Sequence, residues 1–115
     1  MMKIDTGSGT ISITDEVFTN LAGEAATACF GVKGMVACNK EGGPWQLLRR
    51  ESMSKGVKVH ENDDGSVSLE LHIGVDKGVN LAAVGSSIIN EVAYKLNQST
   101  GVEVGAVDVF VDAIY

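Results

Sequence analysis

From Ser54 to Asn80 the chain alternates apolar and polar residues on both sides of an Asp-Asp-Gly step. Val57 and Val59 share one side of the first arm; Val67, Leu69, Leu71, Ile73 and Val75 share one side of the second. Both arms therefore read as half-buried strands, joined as a hairpin. A two-residue loop at Asp64-Gly65 would set Val59 against Glu70 and mix apolar with charged partners. A three-residue loop, Asp63-Asp64-Gly65, instead sets Val59 against Leu69 and Val57 against Leu71. Glycine then takes the left-handed position of a type I turn, where a side chain would be strained. The same register puts Lys58 opposite Glu70 on the solvated side, an opposite-charge cross-strand pair. A slip of one residue would turn every apolar side chain outward, so this register is predicted.

The rest of the chain supplies elements to cover that hairpin. Residues 1–8 are polar, end in glycine and serine, and are expected to form a flexible N-terminus ahead of a single domain over 9–115. Thr10 to Ile13 alternates as a short strand. Thr14 has the side chain of an N-cap, followed by Asp15 and Glu16, and the recurrence of Val17, Leu21, Ala25 and Cys29 predicts an amphipathic helix. Phe18, Ala22 and Ala26 widen its apolar stripe, and Gly31 is its stop. Met35 to Cys38 reads as another strand, and Glu41-Gly42-Gly43-Pro44 as a break. Trp45 to Met53 has weak helical character with a basic centre. Beyond the hairpin, Asn80 caps a second helix striped by Leu81, Val84, Ile88, Val92 and Leu96, ending at Thr100-Gly101. In the last strand the valines change parity between Val104 and Val107, which predicts a bulge or a late strand start at Gly105. The expected fold is α+β, a single small sheet in the order β-α-β-hairpin-α-β, with two helices packed on one face.

Charge and motifs then narrow the function. A formal net charge of −6 argues against phosphate binding by clustered cations, and no nucleic-acid partner is expected. No apolar run approaches a membrane span, and Met1-Met2-Lys3-Ile4-Asp5-Thr6 lacks the apolar core of a signal peptide, so a cytoplasmic location is expected. Cys29 and Cys38 lack metal-binding spacing and read as small buried hydrophobes in a reducing compartment. His60 and His72 fall on the polar side of the hairpin about 13 Å apart, too far to share one zinc ion, and read as surface residues. Asp63 and Asp64 serve the turn, while Asp108 and Asp112 alternate with valines as the outward side of a strand. Serine-elbow, phosphate-loop and zinc-helix motifs are absent, and the chain reads as a non-enzyme without cofactor or metal. Gly31-Val32-Lys33-Gly34 fits the backbone clamp of a KH domain, but an extended segment follows it where that clamp needs a helix. The one basic and aromatic concentration is Trp45, Arg49, Arg50, Lys55 and Lys58, the candidate interaction patch.

Several of these stretches together resemble the alkaline-shock, or envelope-stress-response, protein family of Gram-positive bacteria. They are Gly9 to Val17 (GTISITDEV), Ala22 to Thr27 (AGEAAT), Gly31 to Met35 (GVKGM), Ser54 to Val59 (SKGVKV), Gly78 to Asn80 (GVN), and Ser99 to Val102 leading into Val107 to Val111. The resemblance runs in order from Gly9 to Ile114. It implies a small α+β domain without catalytic residues that self-associates and acts through protein contacts. It also implies a cytoplasmic protein held beneath the membrane by an anchored partner in cell-envelope homeostasis. Glu41 to Trp45 has no counterpart in the family pattern, and His72 and Gly74 interrupt a strand that is usually more aliphatic. The competing expectation is a small anion- or nucleic-acid-binding module using Lys33, Arg49 and Arg50.

Overall fold

The computed structural model of the chain describes residues 2–38, 45–47 and 56–115. Seven strands and two helices follow in the order β1 (Met2–Asp5), β2 (Thr10–Ile13), α1 (Asp15–Thr27), β3 (Val32–Cys38), β4 (Trp45–Leu47), β5 (Val57–Glu61), β6 (Val67–Val75), α2 (Leu81–Thr100) and β7 (Val104–Ile114). The class is the α+β arrangement expected from the sequence.

The central strand is β6. One of its edges is shared end to end by two antiparallel partners: β5 lies against residues 67–71, and β3 against 73–75. Its other edge carries β7, which runs parallel along the whole of 67–75. The hairpin has the predicted register, with Val57 opposite Leu71, Lys58 opposite Glu70 and Val59 opposite Leu69. Gly65 sits at φ 88°, in the left-handed region. Asn62 N–H donates to the Ser66 carbonyl across the loop at 2.9 Å. The carboxylate of Asp64 folds back to accept from the Ser66 amide at 3.0 Å and from its hydroxyl at 2.7 Å. The Asn62 amide nitrogen donates to the hydroxyls of Ser66 and Ser68, each at 2.9 Å.

That small polar network explains the parity change in the last strand. The β6–β7 register slips between the Val67–Val104 and Ser68–Ala106 pairs, leaving Gly105 as the extra residue. A Cβ at Gly105 would lie 3.0 Å from Ser66 Oγ and 3.1 Å from Asn62 Nδ2. Any side chain there would crowd the turn's hydrogen-bonded side chains. A second slip falls between Ile73 and Gly74, at Asp112.

Both helices pack on one side of the sheet. The core joins Phe18, Ala22, Ala25 and Ala26 of α1, and Val84, Ile88, Val92 and Leu96 of α2, to the inward side of β6 from Val67 to Val75. The apolar stripe of α2 is the predicted one, except that Leu81 at its start is 44% exposed. Asn80 caps it by accepting from the Ala83 amide, and Gly101 closes it at φ 74°.

Four expectations need correction. Residues 2–5, expected to be loose, form β1 and pair antiparallel with β2, apart from the main sheet. Their sequence alternates, and the inward Met2 is buried in the core. The Thr6-Gly9 stretch that suggested looseness makes the turn, with Gly7 at φ 83° and Thr6 N–H donating to the Gly9 carbonyl. Trp45–Leu47, read as weakly helical, is a strand, because pairing with Val36–Cys38 of β3 outweighs its helical propensity. The buried side of α1 is the Phe18 edge of the predicted stripe: Phe18, Ala22, Ala25 and Ala26 point inward, whereas Val17 on its other edge is 41% exposed and Cys29 is half-buried. Burying a phenyl ring removes more apolar area from water than burying a valine, and three alanines let α1 lie close. Thr14 opens the helix through its carbonyl, which accepts from Val17 N–H, and makes no side-chain cap.

Candidate interaction face

The side of the sheet away from the helices gathers the polar alternates of three strands. Across it, Lys58 of β5, Glu70 of β6 and Asp108 of β7 stand in one row. The next row along β6 sets His72 beside Phe110. The two rings stack, with centroids 4.9 Å apart and planes 14° from parallel. The imidazole is also held edge-on by two carboxylates, with Nδ1 2.5 Å from Asp112 Oδ2 and Nε2 3.1 Å from Glu70 Oε1. A neutral imidazole has one N–H and serves one carboxylate, whereas the doubly protonated ring donates to both. The side chains of His72 and Asp112 are only 16% and 17% exposed, so the pair is sheltered, whereas Lys58 and Asp108 in the neighbouring row are exposed.

Beyond His72, Gly74 leaves room for an aromatic cover. A Cβ there would fall 2.5 Å from Tyr115 Cε2 and 3.2 Å from Val36 Cγ1, so the tyrosine ring lies directly on the glycine. Tyr115 is itself strapped to the sheet, its N–H donating to the Val75 carbonyl and its carbonyl accepting from Lys77 N–H. His72 and Gly74, departures from an aliphatic strand, thus build an aromatic and acidic surface. Phe110 and Tyr115 remain 42% and 46% exposed on it. Around the Lys58–Glu70–Asp108 row a shallow depression of about 170 Å³ is lined by Lys58, His60, Ser68, Glu70 and Asp108 among others. That is below the roughly 300–1,000 Å³ of ordinary small-molecule sites, so this depression is small for an enclosed ligand.

The sequence-predicted patch is placed only in part. Lys58 is exposed on this face opposite Glu70. Trp45 belongs to β4, at the far side of β3. Arg49, Arg50 and Lys55 lie outside the described residues. Of the two histidines, His60 is exposed as expected, opposite Ser68. His72 is not a bare surface residue, because the β6–β7 pairing brings Asp112 to it. Its outward parity and that of Asp112 were the available signals; the parallel register that joins them was not in the sequence pattern. Gly31 and Gly34 flank the start of β3, so the glycine pair leads into a strand. Gly31, at φ 89°, packs against Val79 and Val84. Cys29 is a half-buried free thiol that donates to the Ala25 carbonyl at 3.5 Å. Among the described residues no cluster of three His, Cys, Asp or Glu side chains could hold a metal ion, and no helix is long and apolar enough to cross a membrane.

Comparison with known proteins places this geometry. The chain is 31% identical over 114 residues to the uncharacterized protein YloU of Bacillus subtilis (strain 168), covering 98% of this chain and 94% of that protein. It is 33% identical over 114 residues to the uncharacterized protein Spy1614 of Streptococcus pyogenes serotype M6, covering 98% of this chain and 93% of that one. Among solved structures, MamM-CTD H285A and MamM-CTD H264A each superpose with a TM-score of 0.52 at 16% identity, over 87% of this chain and 98% of theirs. That likeness is one of fold alone. The model of the alkaline shock protein 23 family, described as having a cell envelope-related function, matches residues 3–115. The chain therefore belongs to the alkaline shock protein 23 family, whose function is related to the cell envelope.

Proposed function

We propose that this protein is a non-enzymatic interaction and scaffold protein of cell-envelope homeostasis, working through the helix-free face of its sheet. The observation that carries the reading is the exposed pair Phe110 and Tyr115, set among Glu70, Asp108 and Asp112 on a broad and shallow surface. Exposed aromatic side chains are disproportionately the anchors of protein contacts. Membership of a family with a cell envelope-related function gives the setting. In this reading the protein acts without a cofactor, self-associates, and resides in the cytoplasm, held near the membrane by an anchored partner. The basic stretch of Trp45, Arg49, Arg50 and Lys55, with Lys58, serves as a second contact patch.

The test is recovery of partners from the native cell with a tagged full-length chain, alongside light scattering of the purified protein. Replacing Phe110 and Tyr115 together by alanine is expected to lose partners that the unaltered chain retains. A strict monomer that recovers no protein at all, or a partner set untouched by the double replacement, overturns the reading.

A further inference from the structure

The strand that carries Phe110 has a second property. Along one edge β7 pairs with β6, and among the described residues no strand pairs with its other edge. The outward-turned backbone donors and acceptors of this eleven-residue strand thus meet no strand among the described residues. Such an edge is ordinarily blunted by proline, lysine, shortness or a cover. Here it is long and contains neither proline nor lysine, and between its two irregularities at Gly105 and Asp112 the stretch Ala106-Val107-Asp108-Val109-Phe110-Val111 pairs regularly with β6.

The side chains along the edge specify what can add to it. On the helix-free side Asp108 is exposed and makes no ion pair with a described residue, Phe110 is 42% exposed, and Asp112 is turned toward His72. An added strand would therefore meet a carboxylate, then an aromatic ring two residues on. A second copy of this chain is a poor match. Antiparallel pairing about Phe110 sets each copy's Asp108 against the other copy's Asp112, two like-charge contacts directly across the ladder. A segment with lysine or arginine opposite Asp108 and an apolar residue opposite Phe110 satisfies both. The formal net charge of −6 draws a basic segment toward the protein.

We infer that the free edge of β7 receives an extended, basic segment of a partner protein as an added strand, with Asp108 as its charge anchor and Phe110 as its apolar anchor. This rests on the reading of the helix-free face as a docking face, and it names the occupant and the manner of docking. Main-chain hydrogen bonds supply affinity in such strand addition, and alternate side chains supply selectivity.

The probe is a fluorescein-labelled ten-residue peptide, Lys-Thr-Val-Thr-Lys-Thr-Val-Thr-Lys-Thr, which puts lysine and valine by turns on one face, titrated by anisotropy against the full chain. Two further peptides carry glutamate for lysine, or methyl groups on consecutive backbone nitrogens so that neither edge can donate. The lysine peptide is expected to bind, and the methylated and glutamate peptides are expected to fail. Asp108→Lys, checked for unchanged circular dichroism, is expected to weaken the lysine peptide about tenfold and to gain binding of the glutamate peptide. Equal binding of the methylated peptide, no effect of Asp108→Lys, or no binding of the lysine peptide overturns the inference. Partners that still depend on Phe110 and Tyr115 while the lysine peptide fails would retain the docking face and remove the added strand.

Discussion

At the scale of single residues, the hairpin turn and the histidine face differ in how far the sequence revealed them. Asp64 was legible, because an aspartate one position before a left-handed glycine has a local job. The structure gives that job a pH signature. The hydroxyl of Ser66 first, and then its amide, donate to the Asp64 carboxylate and hold its pKa below the ordinary value of 3.8. A carboxyl group lowered by folding contributes stability above its unfolded value and loses it as pH falls through the lowered folded value. Asp64→Asn is therefore expected to be less stable than the unaltered chain near neutrality. The gap between them should close only below about pH 3.8, as read from urea midpoints across an acid series. His72 was not legible in the same way. Its partner Asp112 is forty residues away, and nothing local to either residue points to the other.

The helices show how an element can be read correctly and its buried edge still be left open. In α2 the apolar positions are spaced so regularly that one stripe was available, and Val84, Ile88, Val92 and Leu96 occupy it. In α1 the predicted stripe is wide, with a line through Val17, Leu21, Ala25 and Cys29 and a flank of Phe18, Ala22 and Ala26. Periodicity alone cannot choose between edges one residue apart. Packing chooses the edge with the large ring flanked by alanines, since only small side chains let α1 approach the strands and α2 closely. That difference makes a direct prediction. Phe18→Ala should cost roughly 3–5 kcal/mol, by emptying a fully buried site. Val17→Ser, at a position 41% exposed, should change stability by less than about 0.5 kcal/mol. Equal losses for the two variants in urea denaturation would mean that the Val17 edge of the stripe faces the core as fully as the Phe18 edge.

For the whole molecule, the decisive relation is that β6 has neighbours on both edges along its length, and the sequence disclosed only one of them. The β5 partner is reached by a short turn, so alternation and loop length fix it. The β3 and β7 partners are reached across long connections, and parallel pairing with β7 goes by way of α2. No local pattern encodes which edge such a strand will take. The consequence is an uneven distribution of stability. Leu71 pairs with Val57 on one side and Val109 on the other and is fully buried, so opening β6 means dismantling the sheet. The β1–β2 ribbon shares no ladder with that sheet and is tied to the core by Met2, Ile4 and Ile13. Native-state hydrogen exchange should accordingly find the slowest amides in β6, exchanging only with global unfolding, and faster ones in the ribbon through local opening. Leu71→Ala, at a cost of about 3 kcal/mol, should speed the β6 amides by the full global loss. The ribbon amides should hardly change, because their opening does not pass through the unfolded state. Uniform acceleration of both sets would show instead that the ribbon and the sheet unfold as one unit.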